Sequence, residues 1–169
     1  RVFSHGTHVA TTILGNTGVE QTIDGDSFGE GAGVAPAANL ISYKICWEDT
    51  DPNTGGCYTS ASVAAIEQAI CDGVDVINYS VTAADDPASP VSLAFLAAAK
   101  AGIFVAASAG NSGPTAATVQ STAPWVTTVG AHSIAPYYGT VTLGNGESYA
   151  GISTTVDDQV GPAPLVTGS

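Results

Sequence analysis

Two of the three histidines in this 169-residue chain, His5 and His8, stand three residues apart. They lie in the stretch Ser4-His5-Gly6-Thr7-His8-Val9-Ala10. A neutral imidazole can take a proton from a nucleophile and return it to a leaving group, so a histidine here is a candidate general base. Two other readings of the spacing stay open. The rings could simply be packed and hydrogen-bonded, or they could hold zinc. Zinc helices usually space their histidines at i, i+4 around a Glu, and no Glu stands between these two.

A second stretch is Ser108-Ala109-Gly110-Asn111-Ser112-Gly113-Pro114. A Gly-rich loop after an apolar run can cradle phosphate. This one lacks both G-x-G-x-x-G and the G-K-[ST] ending, and Gly-Asn-Ser-Gly also suits a plain tight turn. A third is Asp24-Gly25-Asp26-Ser27-Phe28-Gly29-Glu30, whose carboxylates are hard ligands fit for calcium. The EF-hand pattern fails, because Phe28 takes the fifth ligand slot and Ala35 the twelfth. A solvated loop over Asn16–Gly33 is expected instead, with structural calcium as the lesser alternative. The cysteines are Cys46, Cys57 and Cys71, with no C-x-x-C between them. Cys46 and Cys57 bracket the polar loop Trp47–Gly56, which a disulfide would close; such a bond implies an oxidising compartment. Cys71, within an apolar helical pattern, is expected to be a buried thiol.

These residues need elements to hold them. A short buried helix is predicted from Gly6 to Leu14, with Ser4 as its cap and Gly15 as its stop, placing His5 at its start. Asn39–Cys46 reads as a strand. Ser60–Asp72 reads as a helix with the stripe Val63, Ile66, Ala69, Ile70 and a stop at Gly73. Val74–Val81 reads as a strand, Pro90–Ala101 as a helix, Ile103–Ala107 and Trp125–Ala131 as strands, and Val141–Gly146 as a hairpin with an Asn-Gly turn. Strands alternating with helices predict a parallel sheet covered on both faces. Ligand sites in such sheets lie beyond the strand C-terminal ends, here Cys46-Trp47, Ser80-Val81-Thr82 and Ser108–Gly113.

The formal charge is −12, with 3 Lys plus Arg against 15 Asp plus Glu. Such a chain repels phosphates, so nucleic acid and anionic membrane are poor partners. No apolar run approaches the ~18 residues of a membrane span. The length suits one main domain with a real core.

Four motifs in one order carry a family resemblance. His5-Gly6-Thr7-His8-Val9-Ala10 resembles the histidine motif of the subtilisin-like serine proteases (peptidase S8). Gly33-Val34-Ala35-Pro36 resembles the segment before that family's second core strand. Asp72–Ser80 resembles its strand ending in Asn-x-Ser, and Ala109-Gly110-Asn111 its oxyanion segment. The resemblance covers Val2 to Ser133. It implies an α/β fold with a parallel, doubly wound sheet of the subtilisin-like type, incomplete at both ends. It implies His5 as the base and Asn111 as the oxyanion donor. Ser80 and Val81 would pair the substrate backbone by β-augmentation, and Ser108, Ala109 and Gly110 would wall the pocket for the P1 side chain. The family usually follows its Ser with Leu-Gly-Gly; this chain has Val81-Thr82-Ala83.

Tyr43–Trp47 and Gly56-Cys57 resemble the branch with an inserted protease-associated domain, which includes the plant cucumisin-like enzymes. Residues 1–145 are thus expected to be part of a catalytic domain, and 146–169 a linker leading into the insertion at Gly161–Val166. Asn78-Tyr79-Ser80 is formally a glycosylation sequon, on a strand expected to be buried. The family's nucleophile motif, Gly-Thr-Ser-Met-Ala, is absent, as is an Asp-[Ser/Thr]-Gly for the orienting carboxylate. The expectation is the middle of a secreted endopeptidase that needs no cofactor for its chemistry, acts on protein or peptide substrates, requires the rest of its own chain, and is inactive as these residues alone. A non-catalytic peptide-binding relative of the same fold is the alternative.

Overall fold

The computed structural model describes residues 4–23, 25–47, 56–82, 86–132, 137–153 and 161–164. Asp24, Ala83 and the interior of the Trp47–Gly56 loop lie outside them. The chain divides into two compact units, Arg1–Gly130 and Ala131–Ser169. The first runs α1 (His5–Leu14), β1 (Val19–Ile23), β2 (Asp26–Gly31), β3 (Cys46–Trp47), β4 (Gly56–Cys57), α2 (Thr59–Asp72), β5 (Val76–Tyr79), α3 (Pro90–Lys100), β6 (Phe104–Ser108) and β7 (Thr127–Val129).

The core sits where α2 and α3 cover a parallel sheet of order β5-β6-β7. Val76 pairs with Phe104 and Tyr79 with Ala107. Helix α3 buries Val91, Ala94, Phe95 and Ala98, an i, i+3, i+4, i+7 stripe. It begins where Pro90 presets φ and the Ser89 hydroxyl accepts from Ser92 N–H at 3.3 Å. Helix α2 buries Ser62, Ile66 and Ala69, with Val63 and Ile70 packed at the margin. It stops at Gly73, which takes the left-handed conformation (φ 69°, ψ 40°) that spares the helix C-terminus a Cβ clash. Tyr58 occupies its N-cap position and makes no side-chain cap bond there. Phe95 meets Tyr79 edge-on at 5.1 Å. Trp125 donates its indole N–H to Ser92 O, anchoring the approach to β7 on α3.

Among the described residues, α2 and α3 lie on one face of this sheet. Val76, Phe104 and Val129 are each more than half exposed on the opposite face, and Asn78 is exposed with them. The strand order explains this. From β5 to β7 the chain steps one way across the sheet, so right-handed connections all return on the same side. Asn78 is therefore not buried as expected.

Other departures have local causes. Residues 39–45 form no ladder. Tyr43 and Ile45 pack against the core, but only Cys46–Trp47 pairs, antiparallel to Gly56–Cys57. Extended propensity does not make a strand without a neighbour to bond. The stretch expected to be a loop from Asn16 to Gly33 contains the antiparallel hairpin β1–β2, closing at Ile23 and Asp26. Cys71 is exposed, not buried. Helix α1 begins at His5, and none of its residues is fully buried; Val9, Ala10, Ile13 and Leu14 are half-covered. Ser4 makes no side-chain cap bond. α1 is pinned at its C-terminal end, where Gly33, Val34 and Ala35 donate to the carbonyls of Gly15, Thr12 and Ile13. The approach is so close that a Cβ on Gly33 would lie 2.3 Å from Gly15 N. Asn39–Ser42 then runs alongside α1, leaving an open cleft of about 400 Å³ lined by Gly6, Ala10, Leu14, Leu40 and Ser42.

The second unit holds the hairpin β8 (Tyr137–Thr142) and β9 (Ser148–Ser153). Asn145-Gly146 lies in its turn, as expected. Leu143 N–H bonds Glu147 O, Gly146 N–H bonds Leu143 O, and Gly144-Asn145-Gly146 makes a three-residue loop. The expected boundary after residue 145 falls inside this loop.

Candidate active site

Two segments that the sequence singles out meet at the C-terminal edge of the sheet. One leaves β5 as Ser80-Val81-Thr82; the other leaves β6 as Ser108-Ala109-Gly110-Asn111. Parallel pairing of Tyr79 with Ala107 puts Ser80 and Ser108 level as the strands end. The Ser80 hydroxyl accepts from the Asn78 side-chain amide at 3.0 Å. Val81 lies half-buried against the core.

The second segment is braced by its own backbone. Ala109 N–H donates to Val129 O at 2.9 Å and Ala109 O accepts from Gln120 N–H at 3.0 Å. The Ser108 hydroxyl accepts from Gly110 N–H at 3.1 Å. Gly110 has φ +88°, and a Cβ there would lie 2.8 Å from Gln120 Oε1 and 3.4 Å from Thr82 Cγ2. The positive φ favours glycine, and the second distance places the two segments side by side. Asn111 follows, exposed, with a cis bond at Gly113-Pro114 beyond it.

His5 is the exposed first residue of α1. Its place at a helix start is the expected one. The His8 carbonyl accepts the hydroxyls of Thr11 and Thr12 at 3.0 and 2.9 Å. The structure thus brings Ser80–Thr82 together with Ser108–Gly110. It does not stack α1 as a packed layer on β5, β6 or β7. The disulfide Cys46–Cys57 forms as expected, between directly opposed residues of β3 and β4. It fixes an aromatic pair, Trp47 and Tyr58, at 5.6 Å, with the Lys44 ammonium 5.7 Å from the Trp47 ring. Among the described residues no group of three His, Cys, Asp or Glu could hold a metal, and Asp24 lies outside them.

The family's sequence model, "Subtilase family", matches residues 2–157. The chain belongs to the subtilase family. Its relatives include two subtilisin-like proteases of Arabidopsis thaliana. SBT1.5 is 41% identical over 97% of this chain and 21% of its own length. SBT1.6 is 40% identical over 88% of this chain and 20% of its own length. The chain thus spans about a fifth of these curated relatives. Among solved structures, the S41 psychrophilic protease matches with a TM-score of 0.55 and 28% identity, over 88% of this chain and 43% of that one. The fold is accordingly an incomplete subtilisin-like α/β fold with a parallel sheet. The subtilase match runs past Gly130 and takes in the whole of β8–β9.

Sequence reasoning found both edge segments but missed two features. The β1–β2 hairpin had a signal, Asp24-Gly25 between the near-alternating Val19, Gln21, Ile23 and Asp26–Gly31. The buried hydroxyl of Ser62, 2.9 Å from Tyr79 OH, had only its spacing as a signal, since Ser62 falls in helical register with Ile66 and Ala69.

Proposed function

We propose that this chain is the central part of a secreted serine endopeptidase of the subtilase family. His5 takes the proton from the attacking serine hydroxyl and passes it to the leaving amine. The Asn111 side-chain amide donates to the oxyanion as it develops, so it acts on charge present only in the transition state. Ser80 and Val81 hold the substrate backbone as an added strand, and Ser108, Ala109 and Gly110 wall the P1 pocket. The nucleophilic serine and the orienting aspartate are supplied by the protease chain outside residues 1–169, so these residues alone do not hydrolyse peptides. No cofactor enters the chemistry, and calcium near Asp26 and Glu30 would serve structure only. Residues 146–169 lead into an inserted protease-associated domain.

One observation carries this reading: the Gly110 turn packs beside Thr82 at the C-terminal edge of a parallel sheet. That proximity supports reading Ser80–Thr82 as the backbone-pairing segment and the neighbouring loop as the carrier of the Asn111 amide. The test is His5→Ala and Asn111→Ala in the full-length protein, assayed on a peptide substrate. His5→Ala should abolish turnover. Asn111→Ala should lower kcat by about 10²–10³, the size already known for such a donor in subtilisin. Unchanged turnover in His5→Ala sinks the assignment. A parent that binds peptide without cleaving it supports instead the non-catalytic relative, which Thr82 in place of the family's glycine favours.

A further inference from the structure

The last residue of β5 is held more firmly than ladder pairing requires. Tyr79 is buried, and its ring lies edge-on to Phe95. Its hydroxyl is 2.9 Å from Ser62 Oγ, which is itself buried on α2. The protons in this pair can be assigned. Ser62 Oγ also lies 3.1 Å from the Tyr58 carbonyl oxygen, which can only accept. The Ser62 proton therefore points to Tyr58, and Tyr79 donates to Ser62. The result is a directional chain, Tyr79 O–H to Ser62 O–H to Tyr58 C=O. It runs from the end of β5 to the residue following Cys57 of the disulfide.

A phenylalanine at 79 would fill the same space against Phe95. A hydroxyl pair buried in an apolar core adds little net stability, because both groups give up water to form it. What it adds is direction: it fixes the end of β5 relative to the start of α2. On the opposite face the Asn78 amide grips Ser80 Oγ. The next residues, Ser80 to Thr82, lie beyond the paired register of β5 and β6.

We infer that Tyr79 and Ser62 are positioning residues for the edge Ser80–Thr82, setting its height and angle for an incoming substrate strand. This rests on the reading of that edge as the substrate-pairing segment. Strand pairing acts on bound substrate and transition state alike, so its loss appears in KM and not in kcat.

The experiment compares Tyr79→Phe, Ser62→Ala and the double variant in the full-length protease. Each is assayed on a peptide extended on the N-terminal side of the scissile bond and on a single-residue ester. KM for the long peptide should rise about threefold to tenfold in all three, with kcat within about twofold and the ester unaffected. Thermal stability should follow a different pattern. Ser62→Ala leaves the Tyr79 hydroxyl buried without an acceptor and should melt earliest. The double variant removes both partners and should recover most of that loss. The double variant decides the matter: recovered stability with KM still raised supports positioning. Recovered stability with the parent's KM means the pair is structural only and overturns the inference. Should Ser62→Ala fail to fold, Tyr79→Phe carries the same decision, since Ser62 keeps Tyr58 as its acceptor. A parent whose KM gains nothing from the longer peptide overturns the substrate-strand reading itself, and this inference with it.

Discussion

The two faces of the β5-β6-β7 sheet are cut from the same strands, yet only one is a core. Ile77, Val105 and Ala107 are buried beneath α2 and α3, with Phe95 1% exposed and Ala98 at 0%. Val76 and Phe104 alternate with Ile77 and Val105 in the sequence and stand open, as does Val129 on β7. Apolar content does not separate the faces; a phenylalanine lies on each side. The hand of the connections separates them, because every described helix that returns to this sheet returns on one side. Pattern tells which residues want burial, and topology decides which are granted it.

The comparison breaks most readily at the two phenylalanines. Phe95→Ala should cost about 3–5 kcal/mol, whereas Phe104→Ala should cost less than about 1 kcal/mol. Urea unfolding of both variants measures this. Equal losses would mean that the open face is packed in solution, and the contrast would fail.

Gly33→Ala sharpens the contrast between the core and α1. The new Cβ would meet the Gly15 and Leu14 backbone, which cannot swing aside as a side chain can. We expect a cost of about 1–3 kcal/mol, confined to the α1 junction. By hydrogen exchange, the amides of Val34 and Ala35 should lose protection while those of β6 keep theirs. Uniform loss across both would show α1 and the sheet to be one cooperative unit.

The smallest effect concerns the strandless segment, where Tyr43 OH donates to Asp72 Oδ2 at 2.5 Å. The Tyr43 phenol is pushed up to about 12, first by that hydrogen bond, then by desolvation and the carboxylate charge. Asp72 is held below its usual range by the same bond and, next, by the Gln68 amide. The Asp72 contribution is thus present above the ordinary carboxylate value and lost as pH falls through the lowered one. The Tyr43 contribution is present below the ordinary phenol value and lost as pH rises through about 12. Tyr43→Phe should lower the urea midpoint slightly at neutral pH. The difference from the parent should vanish in acid, and a difference that persists there would assign the effect to packing.

The legible parts of this chain were those where one signal sufficed. Helix α2 announced itself by an apolar stripe and a glycine stop. The two edge segments followed from parallel topology together with the Asn-x-Ser and Ala-Gly-Asn motifs. Misreadings arose where a second body decides. Residues 39–45 have strand composition, but among the described residues they join no ladder, and Ile45 O accepts from Tyr58 N–H at 3.2 Å only at the margin of β3–β4. Cys71 sits five residues after Ile66, about 140° around the helix from it, so its spacing already placed it off the buried stripe. The hydroxyl chain through Ser62 could not be read at all, since it depends on two elements meeting.

The register of the central sheet also sets an order of events. Val76 must find Phe104, 28 residues further along the chain, and Ala106 must find Thr127. The hairpins β1–β2 and β8–β9 close over only a few residues. Local pairs of that kind form within about 1–10 μs, while distant parallel partners must first bear the entropy of closing their loops. Loop closure therefore gives the two hairpins the faster route to their native pairing. The edge that carries Ser80 and Asn111 depends on the slower, long-range pairing of β5 with β6.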